Sequence, residues 1–452
     1  MIDTMALDKE ANRQSGFNHP PIDPHNSIRL LRVQPNGPSP ATYTFEIVPL
    51  QHLRNTSYKA LSYTWGSATS PSDIHTITIA SQPFAIRTNL FNFLTTFSQQ
   101  LRPSDEPQLL FIDALCIDQL SPSERTAQIP HMSRIYRHAS TVIAWLGLPA
   151  PNLSLGSLNP HTPPTAWSPA AIAAFHHLSH SPYWSRVWIV QEILLASRMT
   201  VHCGTYTFPL ALFSGSEIKG DGFRRGRCQS PAERVVAHRL RVALKPEPDK
   251  LGEMAGGMEE MVAALRRPVN RSVAYQSHVP DGLMDVMGKF GGLGCVDARD
   301  KLYGFLGILN ERTRRMVRAD YGRGVGFAFE QAYRVGLLDG TEDGAMRWDR
   351  TCAEELRAVF GLGKEETEPI EERVKKELEW ERWLEEVRFE RMWAGQYGLG
   401  GRVVSLKEWQ RLKGEEREDI LREKEKWLSP QKRPGRLLRE KTALVLRRKK
   451  GI

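Results

Sequence analysis

The chain has 452 residues, 40% of them hydrophobic, and carries a formal net charge of +9. That length holds a sizeable core plus smaller units. Five scattered cysteines (Cys116, Cys203, Cys228, Cys295, Cys352), none in a CxxC pair, speak against a disulfide framework and a zinc site. No apolar run reaches the ~18 residues of a membrane span, and the polar opening MIDTMALDKEANRQSG lacks an apolar signal-peptide core. The expectation is an intracellular, cytoplasmic protein with no membrane span. The nucleus is the alternative, because basic residues crowd into GDGFRRGRC and KRPGRLLREKTALVLRRKK. With no zinc finger, RNA-binding signature or interleaved aromatic and basic pattern, that charge reads as solvated surface rather than a nucleic-acid site.

Residues 1–26 are polar and proline-containing and are expected to be disordered or loosely attached. From Ser27 the segments SIRLLRV, TYTFEIVPL, YKALSYTW, IHTITIA, QLLFIDAL, STVIAWLGL and RMTVHCGTYTF read as strands, separated by turn-rich breaks. RTNLFNFLTTFSQQL and SPSERTAQIPHMSRIYRHA have helical spacing, the second expected to break near Pro130. Strands and helices in alternation predict an α/β domain over 27–208 with a mainly parallel sheet flanked by helices. Residues 209–340 read as a helical extension. Residues 341–452 form a densely charged, partly helical or disordered tail, where Ile370, Val374, Leu378, Leu384 and Val387 make a stripe suited to docking on the body or on a partner helix.

The stretch SPYWSRVWIVQEILLA (181–196) reads as one helix, capped by Ser181 with Pro182 in its first position. Helical spacing puts Glu192 on a side with Trp184, Trp188 and Leu195. A carboxylate drawn out of water there must be hydrogen-bonded, ion-paired or raised in pKa. It is either half of a structural ion pair, with Arg125 or Arg299 as partner, or a functional acid. Other chemistries fail. GLMDVMGKF has the wrong spacing for a phosphate loop, and GGLGC lacks the third glycine of a dinucleotide fingerprint and reads as a flexible turn. His176, His177 and His180 have no third ligand nearby, and Cys116 has no assignable histidine. What remains is a constellation at strand ends: Trp65 and Gly66 after ALSYT, Asp113 and Asp118 in FIDALCIDQ, and Glu192. Open α/β sheets bind ligands there.

Five blocks in order, YKALSYTWG (58–66), FIDALCIDQ (111–119), ERTAQIPHMSRIYRHASTVIAWLG (124–147), PYWSRVWIVQEILLA (182–196) and DARDKLYGFLGI (297–308), resemble the heterokaryon incompatibility (HET) domain of filamentous fungi. The resemblance implies a role in self/non-self recognition and cell-death signalling. HET domains in turn resemble Toll/interleukin-receptor (TIR) domains, which implies a TIR-like, flavodoxin-like sheet. In the TIR enzymes that cleave NAD, a Trp-Cys-x-x-Glu-Leu motif supplies the catalytic glutamate, and here it reads Trp188, Ile189, Val190, Gln191, Glu192, Ile193. That resemblance makes Glu192 the candidate catalytic carboxylate and Trp65, Gly66, Asp113 and Trp188 candidate substrate-binding residues, with no metal, no cofactor and NAD as substrate. The rival expectation is a non-enzymatic module that self-associates or recruits an unidentified incompatibility partner.

Overall fold

The computed structural model describes residues 6–36, 39–162, 166–213, 230, 232, 236, 282–339 and 350–378. The expected helices AERVVAHRLRVAL and GGMEEMVAALRR, the two basic stretches, and Leu384 and Val387 lie largely or wholly outside these residues. The chain divides into two units, Met1–Thr367 and Glu368–Ile452. In the second unit, described over 368–378, Val374 is buried while Ile370 and Leu378 are half-buried.

Among the described residues, nine strands form one sheet: β1 (Ser27–Asn36), β2 (Ser39–Pro49), β3 (Lys59–Tyr63), β4 (Ile74–Ile79), β5 (Gln82–Arg87), β6 (Gln108–Phe111), β7 (Thr141–Trp145), β8 (Met199–Cys203) and β9 (Tyr206–Pro209). Their order is β5-β4-β2-β1-β6-β3-β7-β8-β9. Helices among the described residues include α1 (Ala6–Ser15), α2 (Thr88–Gln100), α3 (Asp113–Cys116), α4 (Pro122–His138), α5 (Pro169–Ser179), α6 (Ile189–Leu195), α7 (Leu283–Phe290), α8 (Asp300–Tyr303), α9 (Glu311–Met316), α10 (Val325–Asp339) and α11 (Arg350–Phe360).

The sheet is mixed, which corrects the expectation of a mainly parallel one. β6, β3, β7 and β8 run parallel at the centre, whereas β1 pairs antiparallel with both β2 and β6, β4 with β5, and β8 with β9. The reason is connection length: the short turns after β1, β4 and β8 permit only antiparallel hairpins, while parallel neighbours need a long crossover. β5 escaped the sequence reading because Pro83 interrupts it, and it survives as an edge strand, where a missing N–H costs least. Among the four central strands, chain order in space is second, first, third, fourth, so the connections leave β3 and β7 in opposite directions. Ligand crevices form at such switch points.

Central β3 shows why this packing holds. Ala60, Leu61, Ser62 and Tyr63 are all buried, as a strand covered on both faces requires. α2 turns Leu90, Phe93, Leu94 and Phe97 inward at helical spacing. α4 starts on the Ser121 cap, whose Oγ accepts the Glu124 N–H, and continues through Pro130 rather than breaking there. Buried Ala127, Met132, Ile135 and Tyr136 hold the two halves of α4 in line although proline deletes one helical hydrogen bond.

Residues 6–26 differ from the loose segment that composition suggested. The Asn12 side chain pairs both ways with the Ala85 backbone of β5 (2.9 and 3.1 Å), and Phe17 packs edge-on against Phe84, with ring centroids 4.7 Å apart. Arg29, 2% exposed, donates to the Pro20 carbonyl at 2.7 Å and forks onto both Glu124 oxygens at 2.5 and 3.1 Å. Polar composition hides these anchors, because they are hydrogen bonds to backbone groups and a single aromatic contact rather than a continuous apolar face.

Candidate functional site

Stretch 181–196 is not one helix. Pro182–Ser185 makes a 3-10 turn, Arg186 is extended (φ −84°, ψ 138°), and α6 starts only at Ile189. The break is held from outside. The Gly294 N–H donates to the Ser185 carbonyl at 2.5 Å, and the Val187 N–H donates to the Gly294 carbonyl at 2.9 Å. The GGLGC segment, expected to be a flexible turn, is therefore a bridge that splits the helix.

Splitting the helix turns Arg186 inward. Its guanidinium donates to the Tyr63 carbonyl at the end of β3 and faces both Glu192 and Asp113. The expected partners of Glu192 were Arg125 and Arg299, and the structure corrects this. Arg125 stacks on the Tyr321 ring at 4.6 Å, and Arg299 grips Asp297, with Nη2 to Oδ2 at 2.5 Å. Arg186 was missed because a continuous helix would have turned it away from Glu192.

Glu192 is 3% exposed. Ser62 Oγ, on β3, donates to its Oε2 and lies 2.6 Å from the Tyr183 hydroxyl. The Tyr136 hydroxyl, bonded to the Leu61 carbonyl at 3.0 Å, also faces the carboxylate. Burial nevertheless outweighs these partners and pushes the Glu192 carboxyl up to about 7, with Arg186 and Ser62 pulling it back and Asp113 adding to the rise. Asp113 is likewise raised, by burial, against the pull of Arg186 and of the Trp65 indole N–H, which donates to Oδ2 at 3.1 Å.

The loop after β3 supplies the next wall. Gly66 has φ of +85°, a left-handed conformation suited to glycine, and its carbonyl accepts from Arg87 Nη1 at 2.6 Å. The Arg87 guanidinium lies over the Trp65 ring at 5.6 Å. Asn89 ties the ends of the two central strands together. It donates to the Thr64 carbonyl at 2.6 Å and accepts from the Trp145 indole N–H at 2.9 Å.

The far wall comes from 294–321. The DARDK block has three separate tasks: Arg299 holds Asp297 and the Tyr321 carbonyl, Lys301 staples the Gly291 and Leu293 carbonyls, and Asp300 faces inward. Asp300 accepts from the Tyr321 hydroxyl and from Trp188, and burial pushes its carboxyl up to about 6. This third raised carboxylate was not among the candidate residues. Its block stood out in the sequence, but nothing there brings Asp300 beside Trp188.

Trp65, Gly66, Asp113, Trp188 and Glu192 thus line one cavity of about 420 Å³, together with Arg125, Arg186, Cys295, Asp300 and Tyr321. Asp118 stands apart from it, in the wall of a neighbouring cavity. Cys116 is buried with its Sγ against the Leu110 carbonyl and the Ile112 N–H, and burial pushes its thiol up to about 12, which disfavours the thiolate that a nucleophile needs. His176 stacks on His180 with ring centroids 3.9 Å apart.

Residues 58–192, which run from the start of β3 to Glu192 itself, match the family model of the heterokaryon incompatibility protein (HET). The chain carries a HET domain. Over 359 residues it is 24% identical to heterokaryon incompatibility protein 6, OR allele, of Neurospora crassa, covering 66% of this chain and 50% of that protein. The chain thus spans about half the length of the curated relative it matches. No solved structure matches. The HET match supplies one side of the cavity, while Cys295, Asp300 and Tyr321 beyond it supply the other. No helix among the described residues is long and apolar enough to cross a membrane.

Proposed function

We propose that the HET domain cleaves the bond between nicotinamide and ribose in NAD, with Glu192 as the catalytic carboxylate. The observation that carries this reading is a carboxylate 3% exposed, raised to about 7, yet opening on a cavity of about 420 Å³ beside two indoles. The central strand order is that of flavodoxin-like sheets, which supports the resemblance to TIR domains and to their NAD-cleaving members.

Breaking the C1′–N bond leaves its electron pair on nicotinamide, which departs neutral, and leaves oxocarbenium character on the ribose. A carboxylate facing C1′ stabilises that charge, and its oxygens accept from the ribose hydroxyls. Water then bonds to C1′ and loses one proton, giving nicotinamide, ADP-ribose and H⁺. Trp65 and Trp188 offer ring faces to the substrate, and Arg186 favours the ionised form of Glu192 that the step uses by partly opposing the effect of burial. The Neurospora relative is named for heterokaryon incompatibility. We carry that role to this chain as the setting in which NAD consumption acts.

The test is nicotinamide release from NAD by the full chain at high protein concentration, wild type beside Glu192→Gln. The wild type should release nicotinamide, and a folded Glu192→Gln should lose at least about 100-fold in rate. A folded, self-associating wild type that releases none overturns the enzymatic reading and leaves the partner-recruiting module.

A further inference from the structure

A second cavity, about 310 Å³, lies next to the first, and Trp65, Arg87 and Gln119 line both. Its roof is the N-terminal segment: Asn12, Phe17, Asn18 and His19 all border it. We propose that this second lobe holds the adenosine half of the dinucleotide, so that residues 12–19 form part of the substrate site. The inference rests on the reading of the first lobe as the place where the nicotinamide–ribose bond breaks.

Three observations carry it. The first is size and position. Each lobe sits at the lower end of the roughly 300–1,000 Å³ typical of ligand pockets, so neither alone suits a whole dinucleotide, and they meet at shared residues. The second is charge. Arg87 stands at the junction with its guanidinium over the Trp65 ring, where the bridging pyrophosphate of a dinucleotide would pass. The third is the chemistry of the walls. Phe17 and Phe84 pack edge to face at 86°, offering aromatic surface to a base, while Asn18 and Gln119 supply amides for its edge. The Asp118 carboxylate, held by the Leu120 N–H at 2.9 Å, can accept from a ribose diol.

The roof is built in. Asn12 is bonded to β5, and His19 Nε2 lies 3.0 Å from the Leu115 carbonyl in α3 on the opposite side. The lobe is therefore present before ligand arrives.

The experiment measures AMP binding to the full chain by calorimetry, and nicotinamide release from NAD beside release from nicotinamide riboside. Phe17→Ala removes the aromatic roof, and Ala114→Leu fills the floor with the roof intact, so the two variants test one lobe by opposite means. AMP should bind the wild type and bind each variant at least about 10-fold more weakly, since one aromatic stack on a base accounts for about that factor. NAD should be used better than nicotinamide riboside by a similar factor in kcat/KM. No AMP binding, unchanged affinity in both variants, or equal use of the two substrates overturns the assignment of this lobe even where Glu192-dependent cleavage stands. AMP binding that weakens in both variants, with no nicotinamide released, upholds the lobe and overturns the cleavage reading.

Discussion

Replacing Glu192 with glutamine should stabilise the folded chain at pH 8 rather than break it. Glutamine keeps the shape and still accepts from Ser62, but it has no charge to bury. Burial raises the Glu192 carboxyl from 4.5 to about 7, so between those values the folded chain holds a proton that the unfolded chain has released. Stability drawn from this group is therefore fully present below about pH 4.5 and is lost as pH rises towards 7, by about 1.4 kcal/mol per pH unit. By pH 8 the carboxylate costs on the order of 3 kcal/mol, which the glutamine variant recovers, while near pH 4.5 the two proteins should be about equally stable. Asp113 and Asp300 titrate in the same direction and are common to both proteins; Asp113 also feels the Glu192 charge, so the difference reads Glu192 together with its effect on Asp113. Urea denaturation of wild type and Glu192→Gln at pH 4.5 and 8 reads it directly. A purely structural pair with Arg186 predicts the reverse, because removing one partner of a buried pair costs about 3–5 kcal/mol. A glutamine variant less stable than wild type at pH 8 would refute the reasoning. A more stable one would mark Glu192 as an acid held against folding stability for the sake of its chemistry.

Two further outcomes test the frame around the site. Asn89→Ala removes the link between the Thr64 carbonyl and the Trp145 indole and should lower stability by about 1–3 kcal/mol, read as a lower Tm, since it strands buried polar groups at the ends of β3 and β7. An unchanged Tm would show that the two strand ends hold their place without it. Cys116 should resist iodoacetamide at pH 8 in the folded protein and react on unfolding, as mass spectrometry would record, because its thiol is 2% exposed and pushed up to about 12. Rapid labelling in the folded state would contradict both its burial and its place against the Leu110 carbonyl.

Much of the central sheet and the near wall of the site is legible in the residues themselves. Apolar runs bounded by turn residues mark β3, β6 and β7, since a strand buried on both faces has little room for polar side chains. The dissonance of Glu192 among tryptophans is visible in sequence because a lone carboxylate there must have a compensating reason. Trp65, Gly66 and Asp113 follow strands, and the ends of parallel strands are where an open sheet leaves a crevice. Other features depend on groups far apart in the chain. The break that turns Arg186 inward comes from Gly294 pairing with Ser185 and Val187, and helical periodicity carries no trace of a bond made across a hundred residues of chain. Asp300 lines the cavity from a segment that Lys301 and Arg299 pin, and its carboxyl is raised by the burial that the fold imposes, against the hydrogen bonds from Tyr321 and Trp188. The N-terminal segment reads as polar and loose, yet Asn12 and Phe17 seat it on β5. Local sequence determined which segments are strands and which acid is out of place. Tertiary packing decided what that acid faces, because burial, pairing and the closure of a cavity are properties of groups brought together by the fold.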